Sequence, residues 1–191
     1  MKKFIPLFFC LITVSIFAQQ RNPVKWTLAL QELKSGDLIS FSSPVRSNTG
    51  AEFRLVINPD AACYCYVVVQ SSNDGDVTVL YAGSIAKREW LSPPLKLTDP
   101  PGSESLFIIV SREEQKNLAQ RISALKDNSG SMQKRALMNE IFRLRSDVSQ
   151  FKETPEKPVL MGGATRGDPD KSKGVEYSGL ETYVKTLSIE H

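Results

Sequence analysis

Histidine is almost missing: the 191 residues hold one, His191. Imidazole is the side chain that titrates near neutral pH and the commonest metal ligand. Its scarcity argues against His-based acid–base catalysis, a nucleophile–His triad and a His-ligated metal. Cysteine is scarce too, at 3. A dominant charge is also lacking. The 24 Lys+Arg stand against 21 Asp+Glu, a net +3, too little for the single-sign field that draws a protein to nucleic acid. What is present is an ordinary globular balance, 41% hydrophobic and 24% charged. That excludes a wholly disordered chain or a low-complexity fibre, and the length suits one domain or little more.

The first segment reads as an address. Lys2 and Lys3 precede an almost wholly apolar run over residues 4–17, and Ala18 supplies a small exit residue. A basic start, an apolar core of about 7–15 residues and a small residue at the cut are the marks of a secretory signal. Residues 1–18 are therefore expected to be a cleaved signal peptide, although Ile16 is not the ideal residue three places before the cut. A spanning helix needs about 20 apolar residues, and polar residues 19–22 arrive too soon for an uncleaved anchor. Cys10 lies midway through the apolar core, and the residues before it lack the small side chain a lipidation site wants. The mature chain then carries a net +1, no membrane span and two cysteines. Its expected place is the periplasm, the cell surface or the medium.

Those two cysteines are Cys63 and Cys65, set in Cys63-Tyr64-Cys65-Tyr66-Val67-Val68-Val69. On a strand, residues two apart share a face, with Cα atoms about 6.6 Å apart, the far edge of disulfide geometry. A bridge would be strained and easily reduced. Two small hydrophobes buried in a core strand is the favoured reading. A metal would need further Cys or His ligands, and only His191 remains.

Period-two alternation recurs along the chain. Val24, Trp26, Leu28 and Leu30 alternate with Lys25, Thr27, Ala29 and Gln31, and Phe53, Leu55 and Ile57 with Arg54, Val56 and Asn58, as in half-buried strands. Ser35-Gly36-Asp37 is a turn before a strand from Leu38. Residues 64–69 are apolar on both faces, as in a strand covered on each side. Asn73-Asp74-Gly75-Asp76 then predicts a tight hairpin, because Asp and Gly tolerate positive φ, with Val77-Thr78-Val79-Leu80-Tyr81 returning. Prolines bracket Leu95-Lys96-Leu97, an edge piece. Residues 106–110 close the block. Short strands with frequent turn signals predict an antiparallel β-sandwich, Ig-like or jelly-roll.

The period then changes. Ser111-Arg112-Glu113-Glu114 has the form of a capping box, and Leu118, Ile122 and Leu125 follow at helical spacing. After Asp127-Asn128-Ser129-Gly130, Leu137, Ile141, Leu144, Val148 and Phe151 repeat at three and four. Residues 112–152 are read as a helical hairpin inserted before the last strand. Lys134, Arg135, Arg143 and Arg145 on its outer face are read as a solvated face, diluted by Glu140 and Asp147. Residues 153–174 are rich in Pro and Gly and read as a long loop. Tyr183 onward alternates again and closes the sandwich, which comprises residues 24–111 and 175–190.

Chemistry-bearing motifs are few. Residues 162–167 are Gly-rich, but no Gly-Lys-Ser/Thr follows, so a phosphate loop is not supported. Arg166, Gly167 and Asp168 form the tripeptide that animal adhesion receptors read, and make the candidate partner contact. Such a tripeptide arises by chance in about one chain in twenty-five of this length. Asp168-x-Asp170-x-Ser172 starts like a calcium loop, but Lys173 replaces the glycine and Gly179 the closing Glu. Asp74 and Asp76 sit at a hairpin tip and read as solvated turn residues. Tyr64, Tyr66, Tyr81 and Trp90 could stack sugars, although Tyr64 and Tyr66 read better as core. No catalytic, cofactor-binding or metal-ligating residue is assigned.

In order, Lys34-Ser35-Gly36-Asp37, Phe53 through Asp60, Cys63-Tyr64-Cys65-Tyr66, Asp74 through Tyr81, and Pro100-Pro101-Gly102-Ser103-Glu104 before residues 106–111 make a recognisable sequence of features. It resembles the bacterial domain of unknown function 4384 over roughly residues 34–111, with the strand from Tyr183 as its last element. The inserted helices depart from the simplest form of that pattern. The resemblance implies an accessory or interaction module in exported bacterial proteins and assigns no catalytic residues. The expected role is thus a non-enzymatic binding or assembly module that meets a protein or glycan of the cell envelope. The alternatives are an envelope glycan or peptide hydrolase, and host adhesion through Arg166-Gly167-Asp168.

Overall fold

Alternation does become strand. In the computed structural model, which describes residues 23–39, 45–149, 157–159, 174–179 and 181–191, β1 (Val24–Glu32) turns Val24, Trp26, Leu28 and Leu30 inward. On one side it pairs antiparallel with β4 (Glu52–Pro59), Leu28 opposite Ile57 and Leu30 opposite Leu55. Its other side is shared end to end by β11 (Gly174–Gly179) and β2 (Leu38–Ile39). The far side of β4 takes β7 (Trp90–Leu91) and β8 (Leu95–Lys96), and β10 (Lys157–Val159) lies beyond β11. These seven strands form sheet A. Its outer face carries Lys25, Thr27, Gln31 and Asn58 around a small apolar patch of Ala29, Val56 and Leu38. One apolar and one mostly polar face explains the clean alternation.

Sheet B has five strands in the order β3 (Val45–Arg46), β12 (Thr182–Glu190), β9 (Ser103–Ser111), β5 (Cys63–Ser71) and β6 (Val77–Ile85). All its pairs are antiparallel except β12 with β3. Its strands are apolar on both faces because both faces are covered. Cys63, Cys65, Val67, Val69, Leu106, Ile108 and Val110 meet sheet A in the first core. Tyr66, Val68, Phe107, Ile109 and Val184 meet the helices in a second. The two helices are α1 (Lys116–Asp127) and α2 (Ser131–Ser149), which bring Leu118, Ile122, Leu125, Leu137, Met138, Ile141 and Leu144 to that core. The molecule is a β-sandwich with a helical hairpin between β9 and β10, laid on the outer face of sheet B.

The structure corrects two expectations. Ser111 caps nothing: it is the last residue of β9, opposite Tyr64 and Thr182, so its backbone is extended. Helix α1 starts five residues later, with Gln115 in the N-cap place and no side-chain cap. The Gln115 N–H is met instead by the Tyr66 hydroxyl at 3.0 Å. Second, the region read as one loop over 153–174 contains β10, and among the described residues three strands rather than one follow the helices. Among the described residues β10 is the end strand of sheet A, the place in a sheet where Pro is tolerated.

The Asp74-Gly75 hairpin forms as expected, with Gly75 at φ 68°. Strand β6 runs on to Ile85, past the predicted Tyr81, and carries an irregularity. Val67 pairs with Tyr81 but Val68 with Val79, leaving Leu80 as an extra residue. This β-bulge reverses which side each later residue faces.

Candidate functional site

Strands β9, β5 and β12 bury the residues with nucleophilic potential. Cys63 and Cys65 are free thiols, 4% and 0% exposed, facing sheet A. Burial pushes Cys63 up to about 11, with the Asp60 charge adding to that and the Arg112 charge opposing it. Burial raises Cys65 as well. Both stay protonated near neutral pH, so neither is a nucleophile or a ready metal ligand. Among the described residues no group of three or more His, Cys, Asp or Glu converges as a metal site would require. His191 Nδ1 lies 3.3 Å from the Thr49 hydroxyl and its Nε2 3.9 Å from Glu104, with the ring buried between them.

The other sequence candidates separate in space. Tyr66 is buried under the helices and Tyr64 lies on the same face, whereas Tyr81 and Trp90 pack on each other at 4.5 Å on the side of the first core. The four therefore build no common sugar platform. Asp76 is not a simple solvated turn residue: it is ion-paired with Lys134 of α2. The hydrogen bond from Lys134 holds its carboxyl below the usual carboxylate range. Arg143 is bound by Glu140 and Asp147 at 2.7 and 2.6 Å, which fits a solvated, self-neutralised helix face. Arg166, Gly167, Asp168, the start of the calcium-like run, Cys10 and the signal peptide lie outside the described residues. No described helix is long and apolar enough to cross a membrane.

Two features escaped the sequence reading. One is a polar joint where β9 hands the chain to α1. The Ser111 hydroxyl accepts from Gln115 Nε2 at 2.8 Å and lies 3.0 Å from the Thr182 hydroxyl. Beside it the Arg112 guanidinium donates to the Pro23 carbonyl at 2.8 Å and faces Asp60 at 3.7 Å. No local motif announces this joint, since its members come from four separated segments.

The second is the outer edge of β6. This nine-residue strand ends sheet B, and among the described residues it has no partner beyond β5. In an antiparallel sheet alternate residues of an end strand turn their N–H and C=O groups away from the neighbour, so the edge is a row of unpaired donors and acceptors. Thr78 and Ser84 on it are exposed, and Lys87, Arg88 and Glu89 beyond it are exposed as well. The Tyr81 hydroxyl donates to the Ser84 carbonyl at 2.9 Å, reaching over Gly83, where a Cβ would stand 3.2 Å from that oxygen. At the opposite end of the sheet β3 offers only two residues. Among the described residues, β6 offers an open edge over its full nine residues, and β12 a second one over residues 182–188, since β3 pairs only with Ile189 and Glu190. Comparison of the chain with family models, with curated proteins and with solved structures finds no match.

Proposed function

We propose that the chain is an exported, non-enzymatic binding or assembly module of the bacterial cell envelope, engaging its partner by strand addition at β6. Export rests on Lys2, Lys3, the apolar run that follows and Ala18. The single observation that carries the binding reading is the nine-residue open edge of a sheet covered on both faces. Strand addition draws its affinity from main-chain hydrogen bonds and its specificity from alternate side chains. The protonated state of the buried thiols supports a role without covalent chemistry. The resemblance to the bacterial domain of unknown function 4384 points the same way.

The test is made in a Gram-negative-type bacterium, with full-length protein carrying a photo-reactive residue at Thr78, and at Lys126 on α1 as the control. Intact mass should show loss of about eighteen residues in the envelope fraction. Adducts should form from position 78 and not from 126. A full-length cytoplasmic product, or no adduct from position 78, refutes the reading.

A further inference from the structure

Neutralisation on the helical hairpin reaches only some of its cations. Arg143 is held by Glu140 and Asp147, and Lys134 by Asp76. Lys116, Arg121, Lys126, Arg135 and Arg145 are exposed, and no acidic side chain pairs with any of them among the described residues. Within the two helices the unpaired acid set against them is Asp127, while Glu113 and Glu114 stand before α1.

Apolar side chains share that surface. Of the three large hydrophobics exposed among the described residues, two are on α2: Met132 at 77% and Phe142 at 46%. With about 100° per residue, Met132 falls opposite the buried Leu137, Ile141 and Leu144. Phe142 stands on a flank, where its ring meets Phe107 edge-on at 5.8 Å. Arg135 lies three residues from Met132 and seven from Phe142, and Arg145 lies one turn beyond Phe142. Residues so spaced are neighbours on a helix surface, so cations and apolar side chains follow one another along the stripe.

We propose that this face is a docking surface for an anionic lipid bilayer, on which the protein lies without crossing it. Charge complementarity names the occupant, and the apolar side chains narrow it. A helix surface that joins Lys and Arg to exposed apolar side chains settles at the boundary of headgroups and acyl chains. Arg135 and Arg145 reach the lipid phosphates, which match the guanidinium fork, while Met132 and Phe142 enter the acyl boundary. An anionic polymer in water would engage the cations and leave both apolar side chains wet. The edge reading stands beside this one. The hairpin covers a face of sheet B, so a bilayer against it leaves the β6 edge, in the plane of the sheet, open to a protein. A lipid partner also leaves position 126 without a protein adduct.

The test sediments the leader-cleaved protein with vesicles of phosphatidylcholine and phosphatidylglycerol in equal parts, and with vesicles of phosphatidylcholine alone. Binding should occur to the anionic vesicles only and fall as salt is raised, because salt screens exposed charge. Arg135→Gln with Arg145→Gln should weaken it about thirtyfold and leave the thermal midpoint unchanged, as both side chains are exposed. Lys87→Gln with Arg88→Gln removes the same charge from the bend after β6 and should bind nearly as the parent does. Fluorescence of the Met132→Trp variant should shift to the blue when anionic vesicles are added, which attraction to headgroups alone would not produce. Equal binding to both vesicle types, an unmoved emission, or an equal loss in the variant at 87 and 88 overturns the proposal. Retention on immobilised heparin with none on vesicles also overturns it and makes the partner an anionic glycan.

Discussion

Replacing both core thiols should make the protein less stable near neutral pH and more stable in alkali. Cys63 and Cys65 face the first core, and burial lifts Cys63 from 9.0 to about 11 and raises Cys65 as well. A thiol whose folded value is raised keeps a proton that the unfolded chain gives up. Its contribution is complete below the unfolded value, near 9, and is lost as pH rises through the folded value. Over that window each thiol costs about 1.4 kcal/mol per pH unit. Cys63 then forfeits about 2–3 kcal/mol by pH 11, and Cys65, also raised, adds to that loss, a large part of a total stability of about 5–15 kcal/mol. Cys63→Ala with Cys65→Ala removes that slope but loses about 1–3 kcal/mol of packing. The two stability curves should converge and cross as pH rises above about 9. Urea melts from neutral pH into alkali, followed by the fluorescence of Trp26 and Trp90, would show it. Tyr66 and Tyr81, raised mainly by burial, keep that burial in both proteins; only the smaller part of their shift that comes from the thiol charges leaves with Cys63 and Cys65. Parallel curves, with the same pH slope for parent and variant, would refute the argument.

Tyr66→Phe leaves the Gln115 N–H without its acceptor, so it should cost about 1–2 kcal/mol. Hydrogen exchange should quicken at residue 115, and unchanged exchange there would contradict the role given to Tyr66. Lys134→Met removes the partner that holds the Asp76 carboxyl below its ordinary value of 3.8. That contribution is present above the ordinary value and lost as pH falls through the depressed one. With Asp76 46% exposed it amounts to about 0.5 kcal/mol. The variant should melt earlier than the parent near neutral pH and together with it near pH 2. A deficit that persists in acid would assign Lys134 a packing role instead.

The layers were legible in the sequence where the hydrophobic period was unambiguous. The doubly apolar run at 64–69 announced a strand covered on both faces, and β5 is that strand, with Val67 on one core and Val68 on the other. Asp74-Gly75 announced its hairpin because only a few residue types accept φ near 68°. The two-residue strands β3 and β7 were illegible, since pairing that short comes from neighbours and not from local preference. Strand β11 hid between glycines, although Val175 and Tyr177 do alternate inward. The capping-box pattern misled because pairing with β5 and β12 keeps Ser111 extended. As for the site, the residues of β6 were visible as a strand. That no described strand lies beside it is a property of the sheet order, which no local period encodes.

The two sheets also differ in what they leave for a partner. Sheet A turns one face outward, and its alternating strands record that. Sheet B has no free face, because sheet A covers one side and α1 and α2 the other. A sheet covered on both faces can meet another molecule only through its edges. Evolution usually blunts such edges with charge, proline or a bulge. Here Pro158 stands in β10, which ends sheet A. The end strand β6 has no proline and no charged residue within Val77–Ile85, only the bulge at Leu80. The helical hairpin fixes that strand from the side, through Val77 in the second core and the Asp76–Lys134 pair at its start. The insertion thus closes the face of sheet B and steadies the edge at once. A rigid edge loses less conformational freedom when a strand is added, which lowers the cost of binding there.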